Sequence, residues 1–148
     1  MRRLFTYLLY SLLILSTPAL HAAQLKISDL EGKWQLLYRG NYGYQFLFHK
    51  NYRAHCIIFL NTSTVIFKGV YTIESGDTVR INISEMKKQN GTANIDLRSH
   101  FVKTSSTYFL FNARLEGKGT LKMSPKKIII DGNSSDGYFE PEFRLNRI

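Results

Sequence analysis

Histidine and cysteine are the side chains of this sequence best suited to chemistry near neutral pH. His55 and Cys56 are adjacent, which suggests a base beside a nucleophile. They fall in an apolar run that we predict to be a β-strand, where consecutive side chains point to opposite faces. The two cannot form a dyad there. Cys56, the single cysteine of the chain, is better explained as a small buried apolar residue.

The histidines do not show the spacing of metal ligands. His49, His55 and His100 are scattered, and the hairpin register that we predict places His49 near a loop and away from His55. The sequence has no nucleophile elbow, phosphate-binding glycine loop or zinc-protease helix. We therefore expect neither enzyme activity nor a bound metal or cofactor.

The amino terminus predicts an exported protein. Two arginines precede an apolar run over residues 4–15, and the small residues Ala22 and Ala23 follow. This is the layout of a secretory signal peptide, and the run is shorter than the ~20 residues that a membrane-spanning helix needs. We expect residues 1–22 to be the signal peptide. Residues 23–148 then form one domain, periplasmic or extracellular, without a transmembrane anchor.

The charge balance favours an acidic partner. The chain has 20 Lys and Arg residues against 11 Asp and Glu, a net charge of +9. Lys87, Lys88, Lys126 and Lys127 fall in predicted turns and would form a cationic rim for an anionic surface, although solvated turn lysines explain the same pattern. Nucleic acid is not expected, because the charge is dispersed and the aromatic residues have core-like spacing. We expect a monomer.

Short apolar runs that alternate with polar residues and turn signals predict an all-β fold. A single helical turn is expected at 28–31, capped by Ser28, because Gly32 follows at once. The runs give about nine or ten strand segments, enough to close a barrel of about eight. We predict one antiparallel up-and-down barrel, with an open β-sandwich as the alternative.

Two hairpins predict which side chains share a face. In the hairpin over 64–84, a loop at 75–77 pairs Tyr71 with Ile81 and Gly69 with Ile83. In the hairpin over 44–60, a loop with an even number of residues would collect on one face Tyr44, Phe46, Phe48, His55, Ile57 and Phe59. A polar turn at 87–91 and further strands are predicted, at 92–101, 107–115, 120–123, 127–131 and 142–147.

The start of the first predicted strand resembles that of lipocalins and of bacterial lipocalin-like, or calycin-type, domains. Gly32 and Trp34 match the G-x-W core of that family, just after a short helical turn. The resemblance implies that the tryptophan sits at the closed end of the barrel beside an arginine from near the last strand. Arg144 or Arg147 could fill that role, and we assign it to Arg144. The chain departs from the family in lacking a T-D-Y element, a cysteine pair and a long helix between the last strands.

Barrel size leaves two functions open. About eight strands enclose either a plug of side chains or room for one small ligand. The resemblance implies a carrier of a small hydrophobic or amphipathic molecule, such as a lipid. The alternative is a secreted interaction module, an inhibitor or surface-associated protein, that acts through loops and the basic rim around a plugged barrel. The candidate lining residues, each of which is equally suited to a packed core, are Phe46, Phe48, His55, Ile57, Phe59, Phe67 and Tyr71. On that face His55 would need a hydrogen-bond partner from the protein or a ligand.

Overall fold

The computed structural model describes residues 23–135 and 137–148, so the predicted signal peptide lies outside the described residues. Strands make up most of this part of the chain, after one short helix. The elements are α1 (Ile27–Leu30), β1 (Gly32–Tyr38), β2 (Tyr42–Phe48), β3 (Arg53–Leu60), β4 (Ser63–Ile73), β5 (Thr78–Asn90), β6 (Val102–Glu116), β7 (Thr120–Ile130), β8 (Asn133–Ser134) and β9 (Phe143–Arg147).

The strands form a closed antiparallel up-and-down barrel. Each strand from β1 to β7 pairs with the next, and β9 pairs with both β7 and β1, which closes the sheet. Eight strands make the barrel, while the two-residue β8 pairs only with the mouth end of β7. The predicted all-β barrel with a short helical turn before it is confirmed, and the open sandwich is wrong. The short β9 pairs with only part of β7 and part of β1, so the ladder at this closure does not extend to the mouth.

The predicted register of the β4–β5 hairpin is confirmed. Tyr71 lies opposite Ile81, and Gly69 lies opposite Ile83. The register shifts beside Gly69, and the backbone of Asn82 comes so close that a Cβ at position 69 would collide with the Asn82 carbonyl oxygen. Glycine is therefore required at the point where the two strands approach most closely.

Several predicted boundaries are wrong. The predicted turn at 87–91 is largely strand, because β5 continues to Asn90, and the predicted strand at 92–101 is a loop. The predicted segments at 120–123 and 127–131 are one strand, β7. Pro125 does not end that strand, because the β6–β7 register shifts there and leaves Lys126 as an extra residue. A proline lacks the N–H that a regular ladder uses, and a bulge tolerates it.

The helical turn also begins earlier than predicted. Its N-cap is Lys26 rather than Ser28, and the Lys26 backbone N–H donates to the carboxylate of Asp29 at 2.8 Å. Asp29 thus accepts the hydrogen bond from the N-cap backbone that a capping box requires. The consequence for the barrel is that Leu30, the last residue of α1, is fully buried over one end.

The two ends of the barrel differ. We call the end that holds α1 the closed end and the opposite end the mouth. The turns at the closed end are 49–52, 74–77 and 117–119, and the connections at the mouth are 39–41, 61–62, 91–101 and 131–142. The mouth thus carries both of the long connections. Side chains from these connections can pack on the barrel in addition to those of its strands.

Side chains pack the interior between these ends. The largest fully buried side chains include Trp34, Tyr44, Phe46, Phe67, Tyr71, Phe109 and Phe111. Phe139, which comes from the connection before β9, joins the same cluster, with its ring centroid 5.1 Å from that of Phe111 and 5.3 Å from that of Tyr44. Edge and offset contacts of this kind add to the burial of apolar area. The barrel has the plug of side chains that its strand number allows.

Candidate ligand-binding site at the barrel mouth

The seven predicted lining residues divide between the two faces of the sheet. Phe46, Phe48, Phe67 and Tyr71 belong to the inner core. The placement of the other three on the inner face is wrong, because Cys56 and not His55 lies opposite Phe46. His55, Ile57 and Phe59 therefore point outward.

The length of the β2–β3 loop explains this error. His49 donates its N–H to the Arg53 carbonyl at 2.9 Å, so the loop between them holds residues 50–52, an odd number. Tyr52 has a φ of 63°, the left-handed residue that a three-residue hairpin loop needs. An odd loop pairs even-numbered residues with even-numbered ones, which reverses the face of every residue in β3.

Cys56 takes the inward position that follows from this register. It is fully buried between Phe46 and Phe67 of the neighbouring strands, as predicted for a small apolar residue. Burial raises the pKa of its thiol well above the usual value, which keeps it protonated. His55 lies on the opposite face, so the prediction that these two side chains point to opposite faces is confirmed.

The residue that packs on Trp34 is Arg147, and the assignment to Arg144 is wrong. Arg147 lies opposite Trp34 in the β1–β9 pair, with its guanidinium carbon 4.2 Å from the ring centroid. Arg144 lies three residues earlier, is exposed, and pairs with Glu116 at 2.9 Å and Glu142 at 3.1 Å. In a strand that separation places the two arginines on opposite faces.

Arg147 fastens the closed end through the carbonyl groups of the helical turn. It donates to the Asp29 oxygen at 2.8 Å and to the Glu31 oxygen at 2.7 Å, while the Trp34 indole N–H donates to the Leu30 oxygen at 2.7 Å. Gly32 fits between them because its φ is +125° and a Cβ would lie 3.0 Å from the guanidinium. These residues build the closed end, opposite to the mouth.

Outside the barrel, the outward residues of β3 and β4 form a second apolar cluster. Ile57, Phe59 and Ile66 are buried there under the loop 91–101, which we call the strap. The strap residues in contact with this cluster are Ile95, Leu97 and Phe101. Two of the predicted lining residues, Ile57 and Phe59, thus hold the strap against the barrel wall.

A buried ammonium group anchors the strap. Lys87 has 7% of its side chain exposed and donates to Asp96 at 3.1 Å and to the Ser99 carbonyl at 2.9 Å, with the Phe101 ring 4.8 Å away. Hydrogen bonds from Ser99, from the Arg98 backbone and from Lys87 hold the pKa of Asp96 well below its usual range. The Asp96 carboxylate therefore stays ionised well into the acidic range.

At the mouth, the wall between β7 and β9 is only partly paired. The ladder between them covers residues 120–123 and 143–146, and beyond it the segment 137–142, which we call the lid, runs beside β7. A cleft of about 410 Å³ separates the two. Its apolar lining includes Pro125, Ile128, Phe139 and Pro141, and its polar lining includes Lys126 and Lys127.

Polar contacts join the lid to the barrel at Glu142 and at Glu140. The Glu142 carboxylate pairs with Lys122 of β7 at 2.8 Å and with Arg144 of β9 at 3.1 Å. The Glu140 N–H donates to the Tyr44 hydroxyl at 3.2 Å, and the Tyr38 hydroxyl donates to the Glu140 carboxylate at 2.9 Å. Burial raises the pKa of Tyr44, so its hydroxyl stays neutral. On the far side of the lid, a second cleft of about 280 Å³ borders Tyr42 and Tyr138. The lid contacts the inner core through two rings, that of Phe139 and that of Tyr138, whose centroid lies 6.2 Å from that of Phe67.

The four lysines of the predicted rim lie in strands and not in turns. Lys87 points outward beneath the strap. Lys88 is exposed opposite Val65 of the inner core, at the mouth end of β5. Lys126 and Lys127 are exposed beside the mouth cleft, where Lys126 donates to the Thr78 hydroxyl at 3.3 Å. Thr78 begins β5 next to the closed-end turn 74–77, so the Lys126 ammonium reaches away from the mouth, although Lys126 lines the mouth cleft together with Lys127. We call Lys88, Lys126 and Lys127 the mouth lysines.

His49 and His55 are in contact, which corrects the prediction that they lie apart. The Nε2 atom of His49 is 3.2 Å from the Nδ1 atom of His55. His55 is 9% exposed, whereas His49 is exposed. Burial, followed by the charges of His49, Lys68 and Arg53, lowers the pKa of His55 to about 4. The same odd loop that turns His55 outward brings it to His49.

Within residues 23–135 and 137–148, no group of three or more His, Cys, Asp and Glu side chains is arranged to hold a metal ion. In the same residues no helix has both the length and the apolar character to cross a membrane. Comparison of the chain with known proteins finds no matching family model, no matching curated protein and no matching solved structure.

Proposed function

We propose that this chain is an exported, monomeric, lipocalin-like protein that binds one small amphipathic molecule at the mouth of its barrel. The observation that carries the proposal is that Phe139 lines the mouth cleft and also belongs to the inner core. Movement of this one ring would join the cleft to the interior. The role is binding or carriage and not catalysis.

The lining of the cleft suits a ligand with an apolar body and an anionic group. Pro125, Ile128 and Phe139 offer apolar contact, and two of the mouth lysines border the same space. A volume of about 410 Å³ falls within the range of small-molecule sites, ~300–1,000 Å³. Ammonium groups at its edge favour carboxylate or phosphate. The packed interior is the reason for placing the ligand at the mouth and not deep in the barrel.

Displacement of Phe139 sets an energetic condition on the ligand. Removing a buried phenylalanine side chain from a core costs about 3–5 kcal/mol. Burial of ligand hydrocarbon returns about 25 cal/mol for each Å² of apolar area. A ligand that buries some 150 Å² or more in place of the ring therefore offsets the lower end of that cost, which a chain of several methylene groups provides.

A fluorescence titration with cis-parinaric acid, a carboxylate amphiphile, tests the proposal. Phe139→Leu lowers the cost of displacement and should tighten binding, whereas Phe101→Leu in the strap is the matched control and should leave it unchanged. The double variant Lys126→Gln/Lys127→Gln should weaken binding about threefold or more. Its control is Lys33→Gln/Lys118→Gln at the closed end. Equal affinities in all four variants would refute the mouth site.

Export is tested separately. The proposal expects the protein in the periplasm or the culture medium with a mature amino terminus at Ala23. Mass analysis of the intact protein from each fraction measures this. An unprocessed chain that stays in the cytoplasm would contradict export without bearing on the mouth cleft.

The packed interior favours one second candidate, a secreted interaction module built on a plugged barrel. Such a protein would use its loops and the mouth lysines on an acidic macromolecule, in keeping with a net charge of +9. Cross-linking in the native compartment should then capture a stoichiometric protein partner that is lost on charge reversal of Lys88, Lys126 and Lys127. Lys87 is left unchanged, because it holds the strap. Co-purification of a lipid with the unmodified protein would favour the first candidate instead.

A further inference from the structure

The geometry points to a copper(II) site made by His49 and His55 on the outer wall near the closed end. Their facing nitrogens are 3.2 Å apart. Two nitrogen ligands in neighbouring positions of one ion, each at ~2.0 Å from it, lie about 2.8–3.3 Å apart. Rotation of both rings away from the line that joins these nitrogens would therefore direct both lone pairs to one ion.

The turn that joins the two histidines is already fixed. The His49 N–H donates to the Arg53 carbonyl at 2.9 Å, and the His49 carbonyl accepts from the Tyr52 N–H and from the Tyr71 hydroxyl, each at 3.1 Å. His55 lies within β3, paired on both sides. A chelating pair on an ordered backbone loses little freedom when it binds.

The contact between the two rings shows how both imidazoles can supply a lone pair. In the contact as it stands, one ring donates its N–H to the lone pair of the other. When the ion binds, that donor ring loses the shared proton and gains one from solvent on its far nitrogen, so the number of protons is unchanged and two lone pairs face the metal.

Positive charges near the two histidines mean that only a metal ion with high affinity for imidazole nitrogen would bind there. Lys68 and Arg53 act on His55 and disfavour any added cation, although Lys68 is paired with Glu85 at 2.9 Å. Copper(II) has the highest affinity of the common divalent ions for nitrogen sites, and zinc(II) follows it. With two protein ligands, water would fill the remaining positions, and the exposed edge of His49 gives the ion access. The site is independent of the mouth and of the proposed function.

Copper(II) sulfate titration of the chain, without an added polyhistidine tag, tests the inference. Isothermal calorimetry with a competing chelator at pH 7 should show one copper(II) ion, with zinc(II) bound more weakly. His49→Asn and His55→Asn should each weaken copper(II) binding about tenfold or more. The control His100→Asn removes a histidine of the strap and should leave binding unchanged. Electron paramagnetic resonance of the complex should show splitting from nitrogen ligands that is reduced in either variant.

His49→Asn decides the test if His55→Asn disturbs the fold, because His49 is exposed. Circular dichroism melting without metal checks that this variant is folded. Copper(II) affinity and spectrum that are the same in His49→Asn as in the parent would overturn the site. Binding that falls equally in His100→Asn would also overturn it, because it would show scattered surface histidines acting alone. Neither result would touch the fatty-acid titration at the mouth.

Discussion

Acidification should destabilise the barrel through His55 at pH values above the range in which carboxylates usually titrate. Burial is the largest cause that lowers its pKa to about 4 in the folded protein, from a usual value of 6.5, and His49, Lys68 and Arg53 add to it. The unfolded chain therefore binds a proton at higher pH than the folded protein does. The stability contributed by neutral His55 is fully present above pH 6.5 and is lost as the pH falls toward 4.

The size of this loss follows from the two pKa values. One unit corresponds to 1.36 kcal/mol, so the full difference is roughly 3 kcal/mol, reached near pH 4. At pH 5 the linkage relation gives a loss of about 2 kcal/mol relative to pH 7. That pH is still above the usual range of carboxylates, whose protonation would confuse the result at lower pH.

Urea unfolding followed by the fluorescence of Trp34, the single tryptophan, measures the effect. The free energy of unfolding should fall between pH 7 and pH 5 by about 2 kcal/mol more in the parent than in His55→Asn. His100→Asn is the control and should keep the slope of the parent. A chelator in every sample prevents metal binding from adding to stability. Parallel pH profiles for the parent and His55→Asn would refute the reasoning, whatever the absolute stability of the variant.

Three other perturbations follow from single contacts. Arg147→Ala removes the guanidinium that contacts Trp34 and two carbonyl groups, and should lower the free energy of unfolding in urea by about 2 kcal/mol. Arg144→Ala should change that free energy by less than about 0.5 kcal/mol. The reverse order would contradict the assignment of the closed end. Asp96→Asn leaves the Lys87 ammonium buried without a carboxylate, so amide hydrogen exchange in the strap should rise while that of β2 does not. A uniform rise along the chain would mean that the strap is not a separate unit. Cys56 should react with a thiol reagent only as fast as the barrel unfolds, and rapid labelling in native buffer would disprove its burial.

The two hairpins show why register is predictable in one case and not in the other. In β4–β5, Gly76 stands in the left-handed position of a short loop, with a φ of 76°, and marks the loop length directly. In β2–β3 the left-handed residue is Tyr52, a type that gives no such signal. Both faces of β3 are apolar, since the strap covers the outer one. Because β3 shows no alternation of apolar and polar residues, its sequence could not reveal that the predicted β2–β3 register was wrong by one residue.

The strap explains why a turn at 87–91 and a strand at 92–101 were wrongly predicted. Lys87 suggests a turn by its charge, yet it lies in β5 because Asp96 and Ser99 come back over it. Ile95, Leu97 and Phe101 alternate with other residues as they would in a strand, and they pack side by side on the outer wall. A local pattern shows that one face of a segment is buried, and it does not show whether a ladder or a covering loop buries it.

The sequence predicts all but one of the residues that build the closed end. Gly32 and Trp34 are placed as the resemblance implied, and only the choice between two arginines failed. The structure decides it by parity: Arg147 lies opposite Trp34, so both side chains are on one face, whereas Arg144 is an odd number of residues away. The β1–β9 register was not available from the sequence, because the partners are more than a hundred residues apart and no turn connects them.

Phe139 determines whether side chains or a ligand fill the mouth end of the barrel interior. It lies outside the strands that the sequence predicts. Inward residues such as Phe46 and Phe111 have the same pattern whether they touch a ligand or another ring. The lid adds the Phe139 ring, whose centroid lies 5.1 Å from that of Phe111, at a place that a ligand's apolar body would otherwise occupy. The lid thus acts on the core as an internal ligand, held by two hydrogen bonds through Glu140 and by the ion pairs of Glu142 with Lys122 and Arg144. An external amphiphile must compete with that one ring and not with the whole core, which is why Phe139→Leu, and no substitution deeper in the barrel, is the variant whose affinity should rise.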